Sequence, residues 1–391
     1  MSLSVDPDIV ISFDSKLAFL RDHRSYPCCT ASSLVAHETH MSWVFLVGDR
    51  AFKLKKPLRL SYLDFSSLEK REKVCREELR LNRRLAPDIY LGVIPLRLAS
   101  TGLCFGTTGI IVDWLVMMRR LAKGSMLEDM LLQHRIQAPE LDRLSHVLGR
   151  FYRYARKIHA QPDTWIAHWR QLIHSNRAVL FNDRFALSKA KLLRIDGALC
   201  RFLSERGHLI HARVKSGSDV EGHGDLRPEH ILIRPSPAVI DCLEFNAQFR
   251  EVDPLDEIAY LTVECERLGA RTMGRRIETV LARALHVRPA PELLSFYRCY
   301  RAALKARLML AHLLEANPRK PDIWRPLAKT YLDIADAEAR NIQRALRGPD
   351  IPQVKISREG NGSHRRQARR MRGFPSCGPM RYPATQGVRY R

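Results

Sequence analysis

Residues 221–268 read EGHGDLRPEHILIRPSPAVIDCLEFNAQFREVDPLDEIAYLTVECERL, and in this stretch Asp225 and Asp241 each end a short apolar or glycine-bounded segment. Two β-like runs, 231–233 and 238–240, flank a proline-containing turn between them, a pattern that predicts a β-ribbon. If the ribbon folds back on itself, the two carboxylates come close together. Two carboxylates beside one turn suit a site that binds a divalent cation and also abstracts a proton.

The composition is that of a folded protein with room for two lobes. The chain has 391 residues, of which 45% are hydrophobic, enough for a substantial core. We expect no membrane span, because no run of about eighteen apolar residues occurs, and no secretory signal. The nine cysteines are scattered without a CxxC pair, which fits a reducing, cytoplasmic location.

The chain is strongly basic, with a net charge of +23. Ten of its Lys and Arg residues lie in 355–391 beside one acid, Glu359, and the remainder is still basic. Such a charge favours anionic partners such as nucleotides, phosphorylated metabolites or nucleic acid, although Arg used for solubility is an equally simple explanation. The segment 348–391 is rich in Gly, Pro, Ser and Arg, and we predict that it is disordered.

Alternating apolar residues predict a β-rich N-terminal half with one long helix. A short helix at 15–21 and a loop around 27–29 come first. Strands are expected at 33–40, 41–47, 50–56, 90–98 and 110–118, with a Gly48-Asp49 hairpin turn. The long helix covers 66–85, and its apolar stripe of Val74, Leu81 and Leu85 includes Glu78. An acid on an inward stripe needs a partner, because an unpaired buried charge is costly.

From residue 120 onward, helical periodicity dominates. Helices are expected at 127–134, 140–158, 165–176, 187–206, 271–285, 291–316 and 322–346. The fold class is therefore α+β, divided into an N-terminal lobe (1–118), a mostly helical C-terminal lobe (119–347) and the basic tail (348–391).

The segment HGDLRPEH at 223–230 resembles the catalytic loop of the protein-kinase-like superfamily, in the form found in aminoglycoside phosphotransferases. VID at 239–241 is similar to the strand that carries that family's metal-binding Asp, and VDPLDEIAYL at 252–261 is similar to its next helix. The segments 44–57 and 63–93 resemble a bacterial subgroup of these proteins. The resemblance implies a bilobal kinase-like fold. Many members of that subgroup continue into a P-loop domain, which is not expected here because no G-x-x-x-x-G-K-[ST] occurs.

The resemblance implies roles for residues in the opening stretch. Asp225 would accept or orient the proton of an attacking hydroxyl, and Asp241 would hold Mg²⁺. Arg227 stands where many protein kinases keep a phosphate-neutralising Lys. The structural alternatives are a turn or capping residue for each Asp and a surface position for the Arg.

Other cofactor-binding residues are expected in the N-terminal lobe. Lys53, in Ala-Phe-Lys, resembles the strand lysine that binds phosphates, with Glu78 as its helix partner. Lys55 lies on the same face of the strand and is the rival, as Glu77 is for Glu78. A solvated charge run is the simpler explanation of the whole set.

Two more positions follow from their place in the chain. Met117 and Met118 end the last N-lobe strand and are expected at the hinge where the nucleotide base binds, although methionines are more often core filler. The glycine-free turn 37–42, HETHMS, stands where kinases place a phosphate-binding loop. The hydroxyls of Thr39 and Ser42 would substitute there.

His230 is the main departure from the family pattern, which has Asn at this position as a second metal ligand. Imidazole suits Mn²⁺ or Zn²⁺ better than Mg²⁺. Three outcomes therefore stay open. One metal ion held by Asp241 with help from Glu244 is enough for activity, the protein prefers a metal other than Mg²⁺, or it is weakly active or inactive. Asp256 is expected to brace the catalytic loop. His223 is expected to be a scaffold residue.

These observations favour a kinase that moves the terminal phosphate of ATP, or GTP, to a hydroxyl of an unidentified small molecule with Mg²⁺ or Mn²⁺. The alternative is a kinase-like nucleotide-binding regulatory or scaffold protein of little or no activity. Nucleic-acid binding through the basic tail is a third, weaker interpretation, because no known nucleic-acid-binding motif occurs. The sequence does not indicate an oligomeric state.

Overall fold

A six-stranded antiparallel sheet forms most of the N-terminal lobe in the computed structural model. The structure describes residues 11–26, 33–60, 63–122, 124–315 and 321–347. The predicted loop around 27–29 and the predicted disorder of 348–391 lie outside the described residues.

The sheet has the strand order β1-β2-β3-β8-β6-β7. The strands of this lobe are β1 Leu34–Glu38, β2 Ser42–Val47, β3 Arg50–Lys55, β4 Arg59–Leu60, β5 Leu63–Asp64, β6 Tyr90–Ala99, β7 Gly102–Cys104 and β8 Ile110–Arg119. All five predicted strands are confirmed to within a few residues. Strand β7 is not among the predicted strands, because three residues that begin with a glycine at φ 110° show too little alternation to signal a strand.

Two helices pack on this sheet, α1 Phe13–Leu20 and α2 Leu68–Asn82. Helix α2 begins at its N-cap Ser67, whose hydroxyl accepts a hydrogen bond from the Lys70 amide. The stripe predicted for α2 is buried, including Glu78. Asp113, the charge that interrupts the apolar strand β8, is buried between Lys16 and Arg71 with both contacts at 2.8 Å, so its charge is compensated.

The C-terminal lobe consists mainly of nine helices among the described residues. They are α3 Leu127–Leu132, α4 Ala138–Tyr154, α5 Pro162–Leu180, α6 Lys189–Glu205, α7 Gly207–Lys215, α8 Pro254–Arg267, α9 Arg271–Ala284, α10 Pro291–Ala311 and α11 Pro321–Arg347. Helix α7 was not predicted. Helix α8 lies at the centre of the lobe, since twelve of its fourteen residues are buried. It contributes to both large hydrophobic clusters of the lobe.

Four short strands position the opening stretch against these helices, and they are β9 Val220–Glu221, β10 Ile231–Leu232, β11 Ala238–Val239 and β12 Glu251–Val252. Strands β10 and β11 pair with Ile231 opposite Val239, so the predicted ribbon is confirmed. The predicted α+β architecture, with a β-rich lobe followed by a helical lobe, is also confirmed. Within the described ranges, no helix combines the length and the apolar character needed to cross a membrane.

Candidate active site

A cleft of about 590 Å³ lies between the sheet and the segments that carry Asp225 and Asp241. Its sheet wall is formed by Val44, Leu46, Ala51, Lys53 and Lys55, which share one face because side chains alternate along a strand. Eight of the ten predicted site residues line the cleft, and they are Thr39, Ser42, Lys53, Met118, Asp225, Arg227, His230 and Asp241.

Lys53 connects the two halves of the cleft. Its Nζ lies 2.9 Å from Glu78 Oε1 on helix α2 and 2.6 Å from Asp241 Oδ1. Burial opposes the charge on Lys53, but the carboxylates of Asp241 and Glu78 outweigh it and hold the lysine's pKa well above the usual value. Glu78 is fully buried, which explains why it does not line the cleft although it positions a residue that does.

Lys55 pairs with the other carboxylate oxygen of Glu78. Its Nζ lies 2.5 Å from Glu78 Oε2 and also pairs with Glu244. Glu77, the sequence alternative to Glu78, instead contacts Arg80 and Arg250. Only Lys53 reaches Asp241 among the described side chains paired with Glu78, so the two lysines hold different positions in one network.

Asp225 lies where the loop 223–230 enters the cleft. Its Oδ1 accepts a hydrogen bond of 3.2 Å from the Tyr260 hydroxyl, and its Oδ2 lies 3.1 Å from Arg227 Nε. Gly224 precedes it with φ 87°. An added Cβ there would approach Leu243 and the backbone oxygen of Phe249 to 3.1 Å, so this turn requires glycine.

Glu257 on helix α8 braces the loop 223–230. Its carboxylate accepts hydrogen bonds from the backbone N–H groups of His223, at 2.9 Å, and Gly224, and from the Tyr152 hydroxyl at 2.7 Å. The neighbouring Asp256, expected in this role, forms a two-point ion pair with Arg301 instead. Helical periodicity does not single out Glu257, because twelve of the fourteen residues of α8 are buried.

His223 connects the loop 223–230 to the segment before Asp241. Its Nε2 donates to the Ile240 carbonyl at 3.0 Å, and its Nδ1 accepts from the Asp225 amide at 3.3 Å. Burial of the ring lowers the pKa of His223 to about 4, so the neutral form is favoured. Both ring nitrogens are used in positioning, as expected for a scaffold residue.

The ring of His230 lies between the two carboxylates. Its Nδ1 lies 2.9 Å from the Asp225 carbonyl oxygen, and its Nε2 lies 3.5 Å from Asp241 Oδ2 and 3.1 Å from Arg227 Nη2. Among the residues that the structure describes, no group of three His, Cys, Asp or Glu side chains is arranged to hold a metal ion. The donor set still fits a cation that arrives with phosphate groups, because phosphates and waters commonly supply the remaining ligands of Mg²⁺.

The backbone at Asp241 is strained. Its φ is 61°, in the left-handed region that non-glycine residues seldom adopt, and strained residues of this kind cluster at functional sites. The Asp241 N–H donates to the Tyr90 hydroxyl at 3.1 Å, and the next amide, Cys242, donates to Asn82 Oδ1 at 2.9 Å. These contacts hold the carboxylate toward Lys53.

The end of strand β8 presents only one of its two methionines to the cleft. Met118 pairs with Ala51 and shares its face, whereas Met117 pairs with Phe52 and packs in the core on the other side of the sheet. Arg119, Arg120 and Leu121 continue the cleft wall. Sequence reasoning placed Arg119 at the hinge with the two methionines but missed Arg120 and Leu121, because it stopped at the end of the strand.

The glycine-free turn 37–42 is closed by the side chain of Thr39. Thr39 Oγ1 donates to the Ser42 carbonyl and accepts from the Ser42 amide, both at 2.9 Å. The Thr39 carbonyl accepts from Lys56 Nζ at 2.7 Å. Both hydroxyl residues line the cleft, but the Thr39 hydroxyl is engaged in shaping the turn.

The pairing of Lys53 with Glu78, in a cleft that also contains Asp241, agrees with what the sequence resemblance implied. The direct contact between Lys53 and Asp241 was not predicted. The described residues form a β-rich lobe followed by a mostly helical lobe, which is the two-lobed architecture that the resemblance implied.

No protein-family model matches the chain. Proteins of Mycobacterium tuberculosis and Mycobacterium bovis, both described as uncharacterised, are 32% identical to it over 305 residues, which is 75% of this chain. The chain spans 58% of the length of these curated relatives.

Similar solved structures include a choline/ethanolamine kinase family protein from Mesorhizobium loti, with 14% identity and a TM-score of 0.47 over 84% of this chain and 99% of that one. A thermostable mutant of an aminoglycoside phosphotransferase has 15% identity and a TM-score of 0.49 over 83% and 98%. A choline kinase from Cryptosporidium parvum has 10% identity and a TM-score of 0.48 over 85% and 96%. At these identities, activity and substrate have to be argued from the cleft itself.

Proposed function

We propose that this chain is a phosphotransferase that moves the terminal phosphate of ATP, or GTP, to a hydroxyl group of a small molecule. The observation that carries this proposal is the contact of Lys53 with both Glu78 and Asp241 in the cleft that also contains Asp225. Phosphoryl transfer depends mostly on positioning and charge neutralisation, and this network supplies fixed groups of both signs.

Asp225 takes the part of the proton acceptor. The acceptor oxygen attacks the terminal phosphorus, the bond from that phosphorus to the bridging oxygen breaks, and the hydroxyl proton passes to Asp225. The Tyr260 hydroxyl, 3.2 Å from Oδ1, and Arg227 Nε, 3.1 Å from Oδ2, hold this carboxylate in one orientation in the cleft. A carboxylate held in a fixed position in the cleft supports the role of general base, which has to lie within hydrogen-bonding reach of the hydroxyl that it deprotonates.

The phosphates bind between Lys53 and Arg227, which lie on opposite sides of the cleft. Asp241 and His230 would hold a divalent cation, Mg²⁺ or Mn²⁺, which neutralises phosphate charge when it is bound. The base lies against Met118, in the part of the cleft that Leu46 and Ala51 also line. Thr39 and Ser42 cover the phosphates from the sheet side.

The experiment is a comparison of wild type with Asp225→Asn, using Asp142→Asn as a matched control whose carboxylate pairs with Arg276 on the surface. Calorimetry with Mg·ATP measures nucleotide binding, and release of labelled phosphate to water measures turnover without a known acceptor. We expect wild type and the control to bind and slowly hydrolyse ATP, and Asp225→Asn to bind it but lose at least about 100-fold in rate.

Equal turnover by Asp225→Asn and wild type would remove Asp225 from the reaction. Nucleotide binding by wild type with no phosphate release, and no transfer to any of a broad set of hydroxyl compounds, would instead support a non-catalytic nucleotide-binding protein. Failure of wild type to bind either ATP or GTP would overturn the proposal.

A further inference from the structure

The tautomer of His230 follows from its two partners. A guanidinium group has only hydrogen-bond donors, so the contact of 3.1 Å with Arg227 Nη2 makes Nε2 of His230 the acceptor. The proton is therefore on Nδ1, which donates to the Asp225 carbonyl at 2.9 Å. The unprotonated Nε2 faces the Asp241 carboxylate.

Two electron-pair donors thus lie side by side in the cleft. His230 Nε2 and Asp241 Oδ2 are 3.5 Å apart, and neither can donate a hydrogen bond to the other. Adjacent ligands of an octahedral ion with bonds of about 2.1 Å lie roughly 3 Å apart. The pair is therefore close to the spacing of two neighbouring ligands of one metal ion.

Cationic side chains of the protein contact both of these groups. Arg227 Nη2 contacts His230 Nε2, and Lys53 Nζ contacts the other oxygen of Asp241 at 2.6 Å. These two cations are the same residues that we assign to the phosphates. A metal ion that arrives with a nucleotide would replace these two cations at His230 Nε2 and Asp241. Arg227 and Lys53 would then bind the phosphate groups instead.

The surroundings of His230 resemble those of metal-ligating histidines. Such residues commonly donate their second ring N–H to a carbonyl or carboxylate, which fixes the ring and the tautomer, and His230 does so to the Asp225 carbonyl. The side chain is only 9% exposed, so the ring is held in this orientation by its packing. A histidine that served only as filler would not need an unprotonated nitrogen beside a carboxylate.

We propose that His230 and Asp241 form a mixed nitrogen and oxygen site that selects Mn²⁺ over Mg²⁺. This inference rests on the proposed function, since the nucleotide phosphates and waters supply the remaining ligands. Mg²⁺ strongly prefers oxygen ligands and gives up water reluctantly, whereas imidazole nitrogen suits transition-metal ions. An amide oxygen at the same position would not make this distinction.

The test measures Mn²⁺ and Mg²⁺ binding to the protein in the presence of ADP, for wild type, His230→Asn and the control His146→Asn, whose ring is exposed on helix α4. Free Mn²⁺ is counted by electron paramagnetic resonance, and Mg²⁺ affinity comes from competition. We expect His230→Asn to weaken Mn²⁺ binding about tenfold or more with Mg²⁺ affinity unchanged or tighter. The control keeps the wild-type preference.

A second measurement needs no variant. Pulsed magnetic resonance of the Mn²⁺ and ADP complex of wild type should show coupling to a histidine nitrogen, which a merely positioning His230 would not produce. Absence of that coupling, or the same preference between the two metals in wild type and His230→Asn, would overturn this inference and leave the proposed function standing. Failure of wild type to bind ADP with either metal would instead count against the proposed function.

Discussion

Lys53 Nζ lies 2.6 Å from Asp241 Oδ1, although 188 positions separate the two residues in the chain. The contact joins the N-terminal sheet to the segment after the β-ribbon. It also defines a competition, because an ion bound to Asp241 has to share or replace the ammonium group.

Replacement of Lys53 should therefore change nucleotide and metal affinity in opposite directions. We expect Lys53→Met to weaken Mg·ATP binding at least about tenfold, since truncating one member of a buried charge pair costs about 2–5 kcal/mol. The same variant should bind Mn²⁺ alone more tightly than wild type, because the competing cation is gone. Calorimetry measures both, and the exposed Lys73 provides the control Lys73→Met. Unchanged nucleotide affinity in Lys53→Met would show that Lys53 does not contact the phosphates.

Lys55 should matter more for stability than for nucleotide affinity. Its replacement by Met leaves Glu244 without its partner and Glu78 with Lys53 alone. Removing one partner of a buried ion pair costs about 3–5 kcal/mol, and we expect a loss of this size in the free energy of unfolding measured with urea. Lys55→Met combined with Glu244→Gln should recover part of it. A loss below about 1 kcal/mol would mean that water already compensates these carboxylates.

The neutral ring of His223 should make the protein sensitive to acid. Since burial lowers its pKa to about 4, the folded protein binds this proton more weakly than the unfolded chain. The contribution of the neutral ring is fully present above about pH 6.5 and is lost as the pH falls toward 4, by roughly 3 kcal/mol. Urea unfolding of wild type and His223→Gln across this range should show their stability difference shrinking with acid. A constant difference would contradict the assignment.

Asp219 should change the stability of the protein with pH in the direction opposite to His223. Its side chain is 1% exposed and neither carboxylate oxygen has a hydrogen-bond partner. Burial raises its pKa to about 7, so the folded protein favours the protonated form and loses stability as the pH rises from about 4 to 7. Asp219→Asn should therefore stabilise the protein at pH 8 and have little effect at pH 4. Thermal unfolding at the two pH values measures this, and destabilisation at pH 8 would show that the carboxylate has a compensating cation in solution.

Sequence reasoning reached the residues that local patterns determine. The alternation of the strands, the stripe that includes Glu78 and the turn between the ribbon strands are all local signals, and each agrees with the structure. The choice between Lys53 and Lys55 could not be made this way. Alternation places both on one face, and only the position of Asp241 in three dimensions separates their partners.

The remaining differences come from pairing register and tertiary contact. Alternation says that Met117 and Met118 face opposite sides, but the side that meets the cleft depends on which strand residues they pair with, here Phe52 and Ala51. Glu257 contacts the loop 223–230 because its position on helix α8 faces the backbone of His223. Neither fact has a signal within a short window of sequence.

Helix α2 is fixed at three points along its length. Arg71 pairs with Asp113 of the sheet, and Glu78 forms ion pairs with the two lysines of strand β3. Asn82 accepts a hydrogen bond from the Cys242 amide, which follows the ribbon. Local opening of such a segment has to break buried polar contacts in both lobes, so its amides should exchange with solvent as slowly as the core. Strand β1, by contrast, is largely exposed at the sheet edge. Among the described elements of this lobe, strand β1 is therefore expected to open locally at a lower free-energy cost than helix α2.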